Sequence, residues 1–273
     1  MDTLLYLAII PVVLLLSFIY KKDTKSEPMN MVVKIFFLGV FSCIPTIIVE
    51  LFLGNMFSTD EFSSLVRLFI NVFIGVALVE EFFKWIIVKL VAYNNSNHDE
   101  TYDAIVYSVF ASLGFACFEN IGYVFSYGFG TALIRAFSAV PGHACFGVIM
   151  GYFFSKAKQS THNGSNNEGI YLLLSLVIPT LVHTIYDFLV FSKVELLTLI
   201  WFVFVIALFI VCFILVSKAA KENAYFIKHY VTVTTNQTNT ASTNTTTTSK
   251  FCPYCGKQNP GGNFCPGCGA KLN

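Results

Sequence analysis

The chain has 273 residues, 55% of them hydrophobic and 12% charged, with a mean hydropathy of +0.67. A composition this apolar excludes an ordinary soluble globular domain, and with a formal net charge of +1 no nucleic-acid partner is expected. An all-α polytopic membrane protein is expected.

Taken in chain order, apolar runs fall at 3–20, 32–53, 65–88, 102–126, 131–154, 170–191 and 195–217. Each is about long enough to cross a hydrocarbon core at roughly 20 residues per helix, so seven spans are expected. The first run is as short as a signal peptide, but its lysines follow it and no small-residue cleavage site is present, so it reads as a retained helix. Lys21, Lys22, Lys25, Lys89, Lys156, Lys158, Lys218, Lys221 and Lys228 all belong to one alternate set of connections, against Lys193 alone in the other. The excess of basic residues on one side puts the N-terminus outside and the C-terminus in the cytoplasm.

After the last run the composition changes. Residues 1–217 form the membrane domain, 218–250 a juxtamembrane segment and a Thr/Asn-rich linker whose stretch 232–250 is too polar to bury a core, and 251–273 a small zinc ribbon. In the ribbon, Cys252, Cys255, Cys265 and Cys268 form two CPxCG turns, a set of four thiolates for one tetrahedral Zn²⁺. Four protein ligands leave no open position, so this zinc is structural, and a cytoplasmic location argues against the alternative of disulfides. The ribbon is expected either to dock a cytoplasmic partner or simply to cap the chain. Cys43, Cys117, Cys145 and Cys212 lie singly in the apolar runs and read as packing residues.

The chemistry lies in polar residues inside the spans. Glu80, Glu81, Lys84, Glu119, His143, His183 and Asp187 all fall within apolar runs, where one ionised group at mid-bilayer costs about 2.5–3.5 kcal/mol. Glu80 and Lys84 are four residues apart on one helix face, as are His183 and Asp187, so an ion pair and a carboxylate-oriented imidazole are expected. His143 follows Pro141 and Gly142, which are expected to break or kink a helix. Counted from the outer span ends, these groups fit a shared cavity reaching from the midplane toward the outer face.

Four successive segments, EEFFK, FACFEN, the histidine of HACFG, and HTIYD, resemble the motifs of the PrsW family of intramembrane proteases, in order and each on its own helix across 79–187. The wider resemblance is to the CAAX prenyl endopeptidases, and the appended ribbon departs from the simplest PrsW pattern. The resemblance implies peptide-bond hydrolysis in a prokaryotic plasma membrane, with a membrane-anchored protein, such as an anti-sigma factor, as substrate and the lipid bilayer as surroundings. It also implies roles: Glu80 or Glu81 as the base, Glu119, His143 and His183 as ligands of a catalytic divalent metal with Zn²⁺ the expected ion, Asp187 orienting His183, and Lys84 pairing a glutamate. A metal-free route uses the same residues, a glutamate and a histidine activating water directly.

Two other classes compete: a proton- or ion-coupled transporter, against which no internal duplication is visible, and an inactive scaffold presenting the ribbon. Glu80–Lys84 alone could serve helix register, and His143 alone could be a satisfied hydrogen-bonder. Glu50, Arg67, Asp103 and Arg135 lie near span ends and read as snorkelling, while His98, His162 and His229 read as solvated. Gly114, Gly147 and Gly151 are expected to permit close helix contact.

Overall fold

The computed structural model describes residues 2–23, 25–56, 64–163 and 165–238. The ribbon cysteines and the linker from 239 onward lie outside the described residues. The elements are α1 (Asp2–Lys22), α2 (Met29–Met56), α3 (Ser64–Ile70), α4 (Leu78–Ile87), α5 (Asp103–Tyr127), α6 (Phe129–Phe137), α7 (Ala139–His162), α8 (Glu168–Phe191) and α9 (Glu195–Thr238). No strand occurs among the described residues. Helix α9 continues through 232–238, which composition assigns to the linker.

Among the described residues, six stretches are long and apolar enough to cross a membrane: Leu4–Lys22, Met29–Gly54, Asp103–Tyr127, Phe129–His162, Glu168–Phe191 and Glu195–Lys221. The third expected span is built differently. Between 64 and 92 the chain is continuously helical, but π-helical turns at Asn71–Ala77 and Val88–Ala92 bracket α4 and leave no single α-helix of spanning length. A π turn adds a residue to the helical circuit and so rotates the faces on either side of it, and such turns concentrate at functional sites. The segment they bracket carries Glu80, Glu81 and Lys84.

Helix α5 is the centre of the bundle, with 83% of its apolar window buried, against 17% for α1 and 28% for α9. Its small side chains let neighbours approach closely. A Cβ at Gly151 of α7 would lie 2.5 Å from the Ala104 carbonyl oxygen of α5, and one at Gly147 would lie 2.9 Å from Val109 Cα. Gly114 of α5 sits against the Phe36 backbone of α2, and Gly39 of α2 reciprocates against Ala111. The glycine reading of the sequence is therefore met. Leu14, Ile48, Leu51, Phe52, Leu199 and Val203 point outward from α1, α2 and α9, as lipid-facing side chains do. Cys43, Cys117, Cys145 and Cys212 are buried and free.

Three expectations need correction. Pro141 does not kink a helix: the break is at Ser138 (φ −127°, ψ −69°), and Pro141 falls in the first turn of α7, where its missing N–H costs nothing. Asp103 does not snorkel but is fully buried, because its Oδ2 accepts the backbone N–H groups of Asp99 at 2.9 Å and Glu100 at 2.6 Å. His98 is not solvated; its ring packs edge-on against Tyr93 and Tyr107, and Nδ1–H donates to the Tyr93 carbonyl at 3.2 Å.

Burial, reinforced by the Lys158 ammonium, depresses His98 from 6.5 to about 3. The unfolded chain therefore binds a proton below pH 6.5 that the fold refuses, and stability falls as pH drops through that window. Between pH 6 and 4 the wild type should lose about 1.4 kcal/mol per pH unit more than His98→Gln, as thermal unfolding in detergent at each pH will show.

Candidate active site

Side chains of α4, α5, α7 and α8, with one from the connecting helix α6, converge on one site. Glu80, Glu81 and Lys84 lie on one buried face of α4; Glu119 and Asn120 come from α5; His143 is in the second turn of α7; His183 and Asp187 are one turn apart on α8. Each side chain is expensive to bury alone, and each is paired.

The Lys84 ammonium is the hub. It has three donor hydrogens, and it meets Glu80 Oε2 at 2.9 Å, Glu81 Oε1 at 2.8 Å and His143 Nδ1 at 3.2 Å, with its Nζ 4.3 Å from the centre of the Phe115 ring. Two chains run outward from it. In one, His143 Nε2 lies 2.9 Å from Glu119 Oε2, which also accepts from the Arg135 guanidinium at 2.8 Å. Because Nδ1 accepts from Lys84, the proton of His143 is assigned to Nε2 and donated to Glu119. In the other, His183 Nδ1 lies 3.1 Å from Glu81 Oε1 and Nε2 lies 3.4 Å from Asp187 Oδ2. With a carboxylate on each side, both nitrogens of His183 are assigned as donors.

The pairings expected at four-residue spacing, Glu80 with Lys84 and His183 with Asp187, are both present. Arg135, read from sequence as a snorkelling residue, is instead turned inward. Besides Glu119 it donates Nε to Asn120 Oδ1 at 2.9 Å and stacks 4.0 Å from the Tyr123 ring centre. A charge count points to it: Glu80, Glu81, Glu119 and Asp187 have only Lys84 and a histidine to neutralise them, so a further cation is needed. Asn120 also reaches α1, donating to the Ala8 carbonyl at 3.0 Å.

These groups surround a cavity of about 610 Å³. Glu80, Glu119, His143, His183 and Asp187 line it, whereas Glu81 and Lys84 lie behind its wall and are fully buried. Glu81 Oε2 is closed off with no hydrogen-bond partner. Helix α2 supplies the opposite wall with Cys43, Thr46 and Glu50, so Glu50, too, belongs to the cavity rather than to the bilayer surface.

The donor atoms that converge to within 4.8 Å are those of Glu80, Glu81 and His143. The set expected to hold a catalytic metal, Glu119, His143 and His183, does not meet in this way: His143 is turned between Lys84 and Glu119, and His183 between Glu81 and Asp187. Two carboxylates and an imidazole have the chemistry of a zinc site, yet Lys84 Nζ already bonds all three. As arranged, Glu80, Glu81 and His143 share one cation already, the Lys84 ammonium, and a metal held by the three would compete with it.

A helical membrane bundle that buries paired carboxylates and imidazoles against a cavity inside its apolar body has the build of an intramembrane hydrolase. Residues 27–216 match the family described as PrsW family intramembrane metalloprotease. The chain is 38% identical over 225 residues to Protease PrsW of Oceanobacillus iheyensis, covering 82% of this chain and 98% of that protein. It is 39% identical over 184 residues to Protease PrsW of Bacillus subtilis, covering 66% and 79%, and 33% identical over 210 residues to that of Clostridioides difficile, covering 75% and 86%. No solved structure matches. The chain belongs to the PrsW family and is an intramembrane protease; transport is not favoured by these relatives.

Proposed function

We propose that the protein hydrolyses a peptide bond of a membrane-anchored protein inside the cavity, with Glu80 as general base and without a metal. The carrying observation is that Glu80 is the glutamate of the pair that opens on the cavity, while Glu81 and Lys84 stand behind it. A water bound by Glu80 gives it a proton and attacks the scissile carbonyl carbon. The proton on Glu80 then passes to the leaving amine nitrogen as the C–N bond breaks, restoring the carboxylate. His183 Nε2–H, whose contact to Asp187 is the longest in the network at 3.4 Å, turns to the developing oxyanion. Glu81 and Lys84 hold Glu80 and His183 in place, and Arg135 and Glu119 hold His143.

In this reading 64–92 is a span like the other six, giving seven in all, with the N-terminus outside and the cavity opening toward the outer half of the bilayer. The client is then cut near its extracytoplasmic end, as an anti-sigma factor would be. The four C-terminal cysteines bind one structural Zn²⁺, and the ribbon presents a docking surface to a cytoplasmic protein.

The test is cleavage of single-span membrane proteins by reconstituted protein ending after Thr238, so that ribbon zinc does not enter the assay. Cleavage should survive a strong chelator. Activity abolished by chelation and restored by Zn²⁺ would instead give Glu80, Glu81 and His143 to a metal, as the family description has it.

A further inference from the structure

At the end of α5 away from Glu119, three buried acids from two segments meet. Asp23 and Glu27 lie in the connection between α1 and α2, and Asp103 opens α5. One carboxylate oxygen from each lies within 4.8 Å of the others, and all three residues are buried, Asp103 completely. Calcium–oxygen bonds are about 2.3–2.6 Å long. Oxygens bound to one such ion lie up to about 5 Å apart, so a cluster within that span can share one ion.

An acidic cluster in itself requires no ion; what points to a ligand here is that two of its buried oxygens have no donor. Asp103 Oδ1 and Asp23 Oδ2 are closed to solvent and have no hydrogen-bond donor. Three of the other oxygens are served: Asp103 Oδ2 by two backbone N–H groups, Asp23 Oδ1 by the Lys25 N–H at 3.2 Å, and Glu27 Oε2 by the Tyr107 hydroxyl. The Lys25 ammonium, 62% exposed, bonds Asp99 and acts on Asp23 and Asp103 only through its field. Buried carboxylates with no cation in direct contact are expensive for a fold to hold.

We propose that Asp23, Glu27 and Asp103 bind a hard divalent cation, Mg²⁺ or Ca²⁺. An all-oxygen carboxylate set selects these ions over zinc, which favours nitrogen and sulfur donors. The ion ties the α1–α2 connection to the first turn of α5. The other end of α5 carries Glu119 and Asn120, so the clamp fixes the helix that holds one half of the catalytic network. On the orientation proposed above, the site faces the cytoplasm.

The test is thermal unfolding of the full-length protein in detergent, stripped of loosely bound ions and titrated with MgCl₂ or CaCl₂. The expected result is a Tm that rises with ion concentration and saturates, since an ion that binds only the folded state stabilises it by mass action. The rise should be lost in Glu27→Gln and in Asp23→Asn, both in a connection rather than a helix, and retained in Glu80→Gln. No ion-dependent rise in the wild type would overturn the site. A rise of equal size in the Glu27 and Asp23 variants would assign it to other acids. Should either variant fail to fold, equilibrium dialysis of the wild type with ⁴⁵Ca²⁺ decides the matter: about one ion per chain, displaced by Mg²⁺, supports the site, and none overturns it.

Discussion

Glu80→Gln should abolish cleavage and leave the fold intact. The amide is isosteric, and its oxygen still accepts from Lys84 at the 2.9 Å position, so the hub keeps three acceptors. What disappears is the capacity to take a proton from water, and a positioned general base contributes about 10²–10⁴-fold to rate. Glu81→Gln should behave differently. Its Oε1 holds both Lys84 at 2.8 Å and His183 at 3.1 Å, and it does not line the cavity. Neutralising it weakens two charge-assisted bonds worth about 1.5–3 kcal/mol each, so thermal stability and cleavage should fall together. Single-turnover cleavage combined with thermal unfolding separates the two. If Glu81→Gln were the variant that lost cleavage at unchanged Tm, the roles of the glutamates would be exchanged.

The residues that carry this argument were visible in the sequence because the membrane makes them conspicuous. A carboxylate or an ammonium in an apolar run is costly and needs a purpose, and that alone singles out Glu80, Glu81, Lys84, Glu119, His143, His183 and Asp187. Pairings within one helix were legible too, since four-residue spacing is a local property; Glu80–Lys84 and His183–Asp187 follow from it. The links between helices were not. Lys84 to His143, His183 to Glu81 and Arg135 to Glu119 depend on how α4, α5, α7 and α8 are rotated about their axes. The π turns on either side of α4 change that rotation, and a period of 3.6 does not anticipate them.

Position along a span also misled. Asp103, Arg135 and Glu50 lie near apolar boundaries, where snorkelling is the economical reading. Yet Asp103 is buried against backbone donors, Arg135 supplies a cation the carboxylates need, and Glu50 faces the cavity. The distinction depends on which way a side chain turns once the helices are packed, and hydropathy along one helix does not report it. The order of the four motifs nevertheless identified the family, which the match over 27–216 establishes.

Lys84→Met should be the most damaging single substitution in the network. Methionine fills the space of the alkyl chain and keeps the packing against Phe115, but removes the charge that three acceptors share. Removing one partner of a buried ion pair costs about 3–5 kcal/mol because the remaining charge is stranded. Here Glu80 and Glu81 are stranded together, so the variant should unfold at markedly lower temperature and show no cleavage. Lys84→Arg retains the charge but brings a planar fork in place of a compact ammonium, and should recover stability ahead of activity. The methionine variant also addresses the metal question directly. It vacates the point where Glu80, Glu81 and His143 converge, leaving a set of donors that suits Zn²⁺. In protein ending after Thr238, Zn²⁺ should then raise the Tm of Lys84→Met and not that of the wild-type sequence, without restoring cleavage. An ammonium that merely fills space would be replaceable by the ion; one that holds Glu80 as a base toward the cavity is not. Restored cleavage in the zinc-loaded variant would show that ion and ammonium are interchangeable at this centre, and would return the reaction to metal chemistry.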